Sequence, residues 1–129
     1  MWIYEQATGR LTRSGELIAT GYSGLGEGKN NPAMEMVHGV GPLPCGAYQI
    51  GKPEDTIEHG PHVLPLKPSP ETDTFGRGGF LIHGDSVDPD RRGSASHGCI
   101  IVPRTVRELI SSASNFPASD QLLIVIKGC

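Results

Sequence analysis

Long apolar runs are missing from this sequence. No stretch of about 18 or more apolar residues occurs, so neither a membrane-spanning helix nor membrane insertion is expected. Basic excess is missing too: the formal net charge is −3. No Lys/Arg run is present to neutralise phosphates or anionic lipid, so nucleic acid and charged membranes are not expected partners. Cysteine is scarce, with 3 in 129 residues, at Cys45, Cys99 and Cys129. That is too few for a disulfide framework. A Cys45–Cys129 pair stays open beside the plainer reading of both as packed thiols. The N-terminus, MWIYEQATGRLTRSGEL, has no basic segment followed by an apolar one, so no signal peptide is expected and synthesis is placed in the cytoplasm. The Gly-rich stretch SGLGEGKNNP at Ser23–Pro32 lacks the Lys-Ser/Thr ending of a phosphate loop and reads as a plain loop.

What is abundant is turn chemistry, with 18 glycines and 11 prolines and no repeat or collagen-like period. The length suits one domain with a single core. Trp2–Gln6, Leu11–Arg13 and Leu17–Tyr22 read as short antiparallel strands separated by turns. The rigid Gly41-Pro42-Leu43-Pro44-Cys45-Gly46 turn delivers the chain into a strand at Ala47–Lys52. Pro53–Gly60 reads as loop. His62–Lys67 reads as a strand whose internal Pro65 puts it at an edge or a bulge. Phe80-Leu81-Ile82 is a compact strand running into His83-Gly84-Asp85. One helix is expected near 103–115, opened by Pro103, with Val106, Leu109, Ile110 and Ala113 as its buried stripe and Asn115-Phe116-Pro117 as its stop. Leu122–Ile126 is an apolar strand expected at the centre of the sheet. The fold class is mainly β, in one domain over 1–129, with one surface helix.

The chemistry concentrates in FLIHGDSVDPDRRGSASHGCIIVP, from Phe80 to Pro103. A strand ends at His83, a polar loop follows, and Ser96-His97-Gly98-Cys99 runs into apolar residues. Cysteine catalysis needs a thiolate, a base within hydrogen-bond reach, and amide N–H groups facing an oxyanion. Cys99 supplies the nucleophile and His83, rigidly placed at a strand end, the base. Gly98 lets backbone approach a substrate, and the N–H groups of Gly98 and Cys99 are candidate oxyanion donors. Ser96 orients the loop or binds substrate.

The block HGD…SHGCI resembles the signature of the YkuD-type L,D-transpeptidases. Tyr22-Ser23-Gly24, the GEGKNNP loop, Gly41-Pro42-Leu43-Pro44 with Gly46 and Tyr48, and Phe80–Asp85 are similar to one branch of it, the type VI secretion L,D-transpeptidase effectors. The resemblance covers nearly the whole chain. It implies a β-sandwich-like catalytic domain acting on peptidoglycan stem peptides, with Cys99 as nucleophile, His83 as base, the Gly84 carbonyl orienting that imidazole, and His97 and Gly98 shaping the oxyanion loop. No cofactor is expected, and two routes to that substrate stay open: delivery to the periplasm of a target cell through a secretion-apparatus contact, with a cognate immunity protein, or release during phage lysis. The arginine that commonly follows the cysteine by two positions is Ile101 here, which leaves Arg91, Arg92 or Arg104 for a substrate carboxylate. Tyr22 and Asp85 complete the candidate substrate-binding set.

Three rivals stand beside this reading. Papain-like and amidase-type cysteine hydrolases place the cysteine before the histidine, whereas His38, His59, His62, His83 and His97 all precede Cys99. A zinc site could draw on His83, His97, Cys99, His38 or Asp85, but the spacing fits no usual finger, no Cys-x-x-Cys exists, and no metal is expected. A wall-binding module without catalysis has no use for a reactive thiol. A depressed Cys99 pKa, read by iodoacetamide near neutral pH, would separate it from an enzyme.

Overall fold

The computed structural model describes residues 1–113 and 121–128. The proposed helix stop at Asn115–Pro117 and the Cys45–Cys129 pairing lie outside the described residues. The strands are β1 (Trp2–Glu5), β2 (Arg10–Arg13), β3 (Glu16–Thr20), β4 (Tyr22–Ser23), β5 (Gly46–Ile50), β6 (Glu54–Thr56), β7 (Gly60–Pro68), β8 (Leu81–His83), β9 (Ile100–Ile101) and β10 (Leu122–Ile126). One helix, α1 (Arg104–Ala113), lies between β9 and β10. The strands follow one path, β3-β2-β1-β10-β5-β7-β8-β9-β4, with β6 paired to β7. The two ends of that path, β3 and β4, are separated in sequence by Gly21 alone, so the sheet nearly closes on itself. At that corner the Gly21 N–H donates to the Gly9 carbonyl at 2.8 Å, and a Cβ would sit 2.0 Å from the Ile101 oxygen, which leaves no room for a side chain.

Alternation along the strands builds the core. Trp2 and Tyr4 of β1, Tyr48 of β5, Leu64 of β7, Ile82 of β8, Ile100 of β9 and Leu123 of β10 point inward and are buried together. Each such side chain contributes about 1.5–3 kcal/mol by leaving water. The mainly β single domain with one helix agrees with the expectation from sequence. So does the central place of β10, which runs parallel to β1 on one side and antiparallel to β5 on the other.

Three local expectations are corrected. The Pro53–Gly60 loop contains β6, which pairs with β7 through Glu54–Val63 and Thr56–Gly60; its exposed polar residues carry no apolar alternation to announce a strand. β7 is not an edge strand, since it pairs with β5, β6 and β8. Pro65 is tolerated because its carbonyl accepts from Gly51 N–H at 2.8 Å, between the β5 and β6 pairings, so the N–H it lacks would point into that gap. In α1, Ile110 is buried and Val106 packs against the core, but Leu109 is 43% exposed, and the inward place beside Ile110 belongs to Arg107. Arg107 donates to Val102 O at 2.8 Å and His62 O at 3.0 Å and so ties the helix to the sheet.

Candidate active site

The register of β8 against β9 brings the two proposed reacting residues to one face. The strands are parallel, with Ile82 opposite Ile100 and His83 opposite Ile101. Ile82 and Ile100 face the core, so His83 and the residue just before β9, Cys99, face the other way on neighbouring strands. Both line one cleft of about 370 Å³, together with His38, Arg77, Phe80 and His97. A second cleft of about 500 Å³, holding Glu58, Asp85 and Arg91, shares His59, His83, Ala95 and His97 with the first. A larger cavity of about 650 Å³ lies away from these residues, along Gln49, Lys52 and Ser112.

His83 is 3% exposed, and its Nδ1 lies 2.9 Å from the Gly84 carbonyl oxygen. A carbonyl can only accept, so Nδ1 carries the proton and Nε2 keeps the lone pair of the neutral ring. Burial lowers the His83 pKa below the usual imidazole range against the pull of Gly84, and His59 and Arg107 lower it further. Gly84 is where it is for lack of space: a Cβ would meet Arg107 Nη1 at 2.6 Å.

Cys99 is half-buried, with its thiol 3.8 Å from the Gly79 carbonyl oxygen. Burial raises its pKa; the Leu81 N–H and the Arg77 charge pull the other way without overcoming it. Burial thus works against the depressed thiol pKa that would set an enzyme apart from a wall-binding module. The two shifts favour the uncharged forms, a thiol at Cys99 and a neutral imidazole at His83.

Ser96 is fully buried and organises the turn before Cys99. Its Oγ accepts from Gly24 N at 2.9 Å and Gly98 N at 3.1 Å and donates to Cys99 O. These bonds occupy the Ser96 hydroxyl inside the turn, away from solvent. The Gly98 N–H is engaged by Ser96, so the candidate oxyanion donor is the Cys99 N–H. Gly98 itself sits at φ +135°, and a Cβ there would lie 2.4 Å from Arg77 Nη2. His97 lines both clefts, and its Nδ1 donates to Gly39 O at 3.0 Å.

The proposed substrate-binding residues divide. The Tyr22 hydroxyl donates to Asp85 at 2.7 Å and accepts from Ala95 N at 3.0 Å. Asp85 also accepts from Ser86 N and Gly93 N. Burial disfavours the Asp85 charge, but the bonds from Tyr22, Ser86 and Gly93 and the nearby Lys29 hold its carboxyl below the usual range. Burial, and then Asp85, push Tyr22 up to about 12. This pair fastens the 85–95 loop. Arg91 lines the second cleft and lies 3.7 Å from Asp88. Arg104 lines neither cleft; it pairs with Glu108 at 2.9 Å on the outer face of α1 and is not brought to the site. Among the described residues, no group of three or more His, Cys, Asp or Glu is arranged to hold a metal ion.

Two residues of the first cleft, Arg77 and His59, carry no signal in the sequence. Arg77 is 8% exposed, and its guanidinium donates to the carbonyls of Glu35, Gly41, Pro42 and His97 while lying 5.6 Å from the Phe80 ring centroid. It locks the 35–42 loop to the turn that carries Cys99. Nothing in GRGG distinguishes such an arginine from a solvated one. The other is His59, whose ring stacks on His83 with centroids 4.6 Å apart. Its Glu-His-Gly setting signals only a turn.

No curated protein matches the chain. The Tlde1 domain matches residues 18–121, which include every residue of both clefts. The chain therefore belongs to the Tlde1 domain family, a family of type VI secretion effectors.

Proposed function

We propose that this protein is a cysteine-dependent peptidoglycan enzyme that transfers the acyl group at the L,D bond of tetrapeptide stems. The observation that carries the reading is the placement of Cys99 and His83 on one face of adjacent strands, lining one cleft. Membership of an effector family and the resemblance of HGD…SHGC to YkuD-type L,D-transpeptidases support the substrate class.

The Cys99 sulfur attacks the carbonyl carbon of the third stem residue, diaminopimelate, as its proton passes to His83 Nε2. Transfer at the moment of attack suits a neutral pair. Negative charge gathers on the carbonyl oxygen, which faces the Cys99 N–H. The C–N bond to D-alanine then breaks, the leaving nitrogen takes the proton from His83, and a thioester remains on Cys99. Water, giving its proton to His83, resolves the thioester to a tripeptide and restores the thiol. An incoming amine resolves it to a new peptide bond, which is transpeptidation or D-amino-acid exchange. The chemistry is complete without a cofactor. The protein acts in the periplasm of a target cell after delivery by a secretion apparatus, and a cognate immunity protein guards the producing cell.

Purified disaccharide-tetrapeptide incubated with enzyme, with products read by mass, tests this. The expected product has lost its terminal D-alanine, and none forms with Cys99→Ala. Cutting of the lactyl–stem bond or of a D,D bond instead would overturn the L,D assignment in favour of an amidase or endopeptidase.

A further inference from the structure

We propose that His59 is a positioning residue for His83: its ring, presented by the β6–β7 hairpin, stacks on the His83 ring and fixes the plane in which Nε2 faces the cleft. The inference rests on the reading of His83 as the base. Thr56 pairs with Gly60 across a tight turn, and the His59 N–H donates to Thr56 Oγ1 at 2.9 Å, so the histidine is held by paired backbone on both sides. Its ring centroid lies 4.6 Å from that of His83, with 31° between the planes. The Gly84 carbonyl ties one edge of the His83 ring through Nδ1, but a single hydrogen bond leaves the ring free to rock about that contact. A flat neighbour removes that freedom. His59 also lines both clefts, so it stands where they meet.

The stack has an electrostatic side. Groups facing His83 are His59 from the hairpin, Arg107 from α1 and Asp85 from the following loop, while His97 and Cys99 line the same cleft. His59 and Arg107 both oppose a positive charge on His83. A base that must be neutral to accept the Cys99 proton is thereby kept neutral at lower pH. The His59 side chain is 33% exposed, so replacing it does not open the core.

Two variants separate the ring from its charge. His59→Phe keeps a flat stacking surface, and His59→Ala removes it. The carbon-bound ring protons of His83, assigned by their loss in His83→Gln, are titrated by NMR in wild type and His59→Phe. The midpoint is expected at higher pH in the variant, because the lowering influence of His59 on His83 is gone. On tetrapeptide muropeptide, His59→Ala is expected to lower kcat on the order of tenfold with KM within about twofold, as misorientation of a base does. His59→Phe keeps most of kcat. Wild-type kcat in His59→Ala overturns the positioning role, and an unmoved midpoint in His59→Phe overturns the electrostatic one. The titration needs no turnover, so an inactive wild-type protein would fail the functional reading while the midpoint still tests the His59–His83 contact.

Discussion

Burial acts in opposite senses on the two groups proposed to react: it raises the Cys99 thiol and lowers the His83 imidazole, and both shifts favour the uncharged form. Two outcomes follow. Alkylation of Cys99 by iodoacetamide is slow at about pH 7 and climbs only above the ordinary thiol value of about 8.5. A base that must be unprotonated and whose pKa is lowered stays competent as the medium turns acidic, so the acid limb of kcat/KM falls below the ordinary imidazole value of about 6.5. A limb at or above that value would contradict the neutral-pair account. Cys99→Ala and His83→Ala are each expected to leave less than about a hundredth of wild-type turnover with the fold intact, whereas Cys45→Ala is silent. At this scale the sequence was informative where chemistry is local. The proposed nucleophile and the proposed base, each beside a glycine, are written within one short stretch. Arg77 and His59 reach the same cleft through contacts with residues far away in sequence, at Gly41 and at His83, and no local pattern announces either.

The element that matters most is the turn from Ser96 to Cys99. It is held from below by the Ser96 hydroxyl and from behind by the Arg77 guanidinium, with Gly98 in a backbone conformation that side chains rarely adopt. Ser96→Ala leaves buried N–H groups without a partner and is expected to cost about 2–3 kcal/mol in denaturant unfolding. Gly98→Ala meets both an unfavourable φ and the Arg77 guanidinium, so a loss of about 1–3 kcal/mol is expected together with reduced kcat. Wild-type stability in either variant would mean that the turn is held by something else. Elements were legible where periodicity was strong, as in β1, β8 and β10. They were obscure where another force set the structure. β6 is made by pairing rather than by pattern, the strand through Pro65 survives because its flank changes partner there, and Leu109 yields the inward face of α1 to a hydrogen-bonded Arg107.

At the scale of the molecule, a sheet that nearly closes leaves its apolar residues inside and puts the candidate site on the outer face of β8 and β9, open to solvent through two joined clefts. An open site of this kind would admit water and small amines to the thioester proposed on Cys99. Among the described residues no helix is long and apolar enough to cross a membrane. If the substrate is peptidoglycan, production in the cytoplasm of a Gram-negative host is tolerated, while export through an added signal peptide halts growth or lyses the cells. Cys99→Ala abolishes that toxicity. Equal toxicity from both compartments would point to a cytoplasmic target. The central claim, a thioester on Cys99 shared by hydrolysis and exchange, is tested most directly by the products formed from tetrapeptide muropeptide in excess D-methionine. The account predicts tripeptide together with a tetrapeptide carrying D-methionine at its fourth position, both absent with Cys99→Ala. Loss of D-alanine without any incorporation at saturating D-methionine, or incorporation that survives Cys99→Ala, would contradict it.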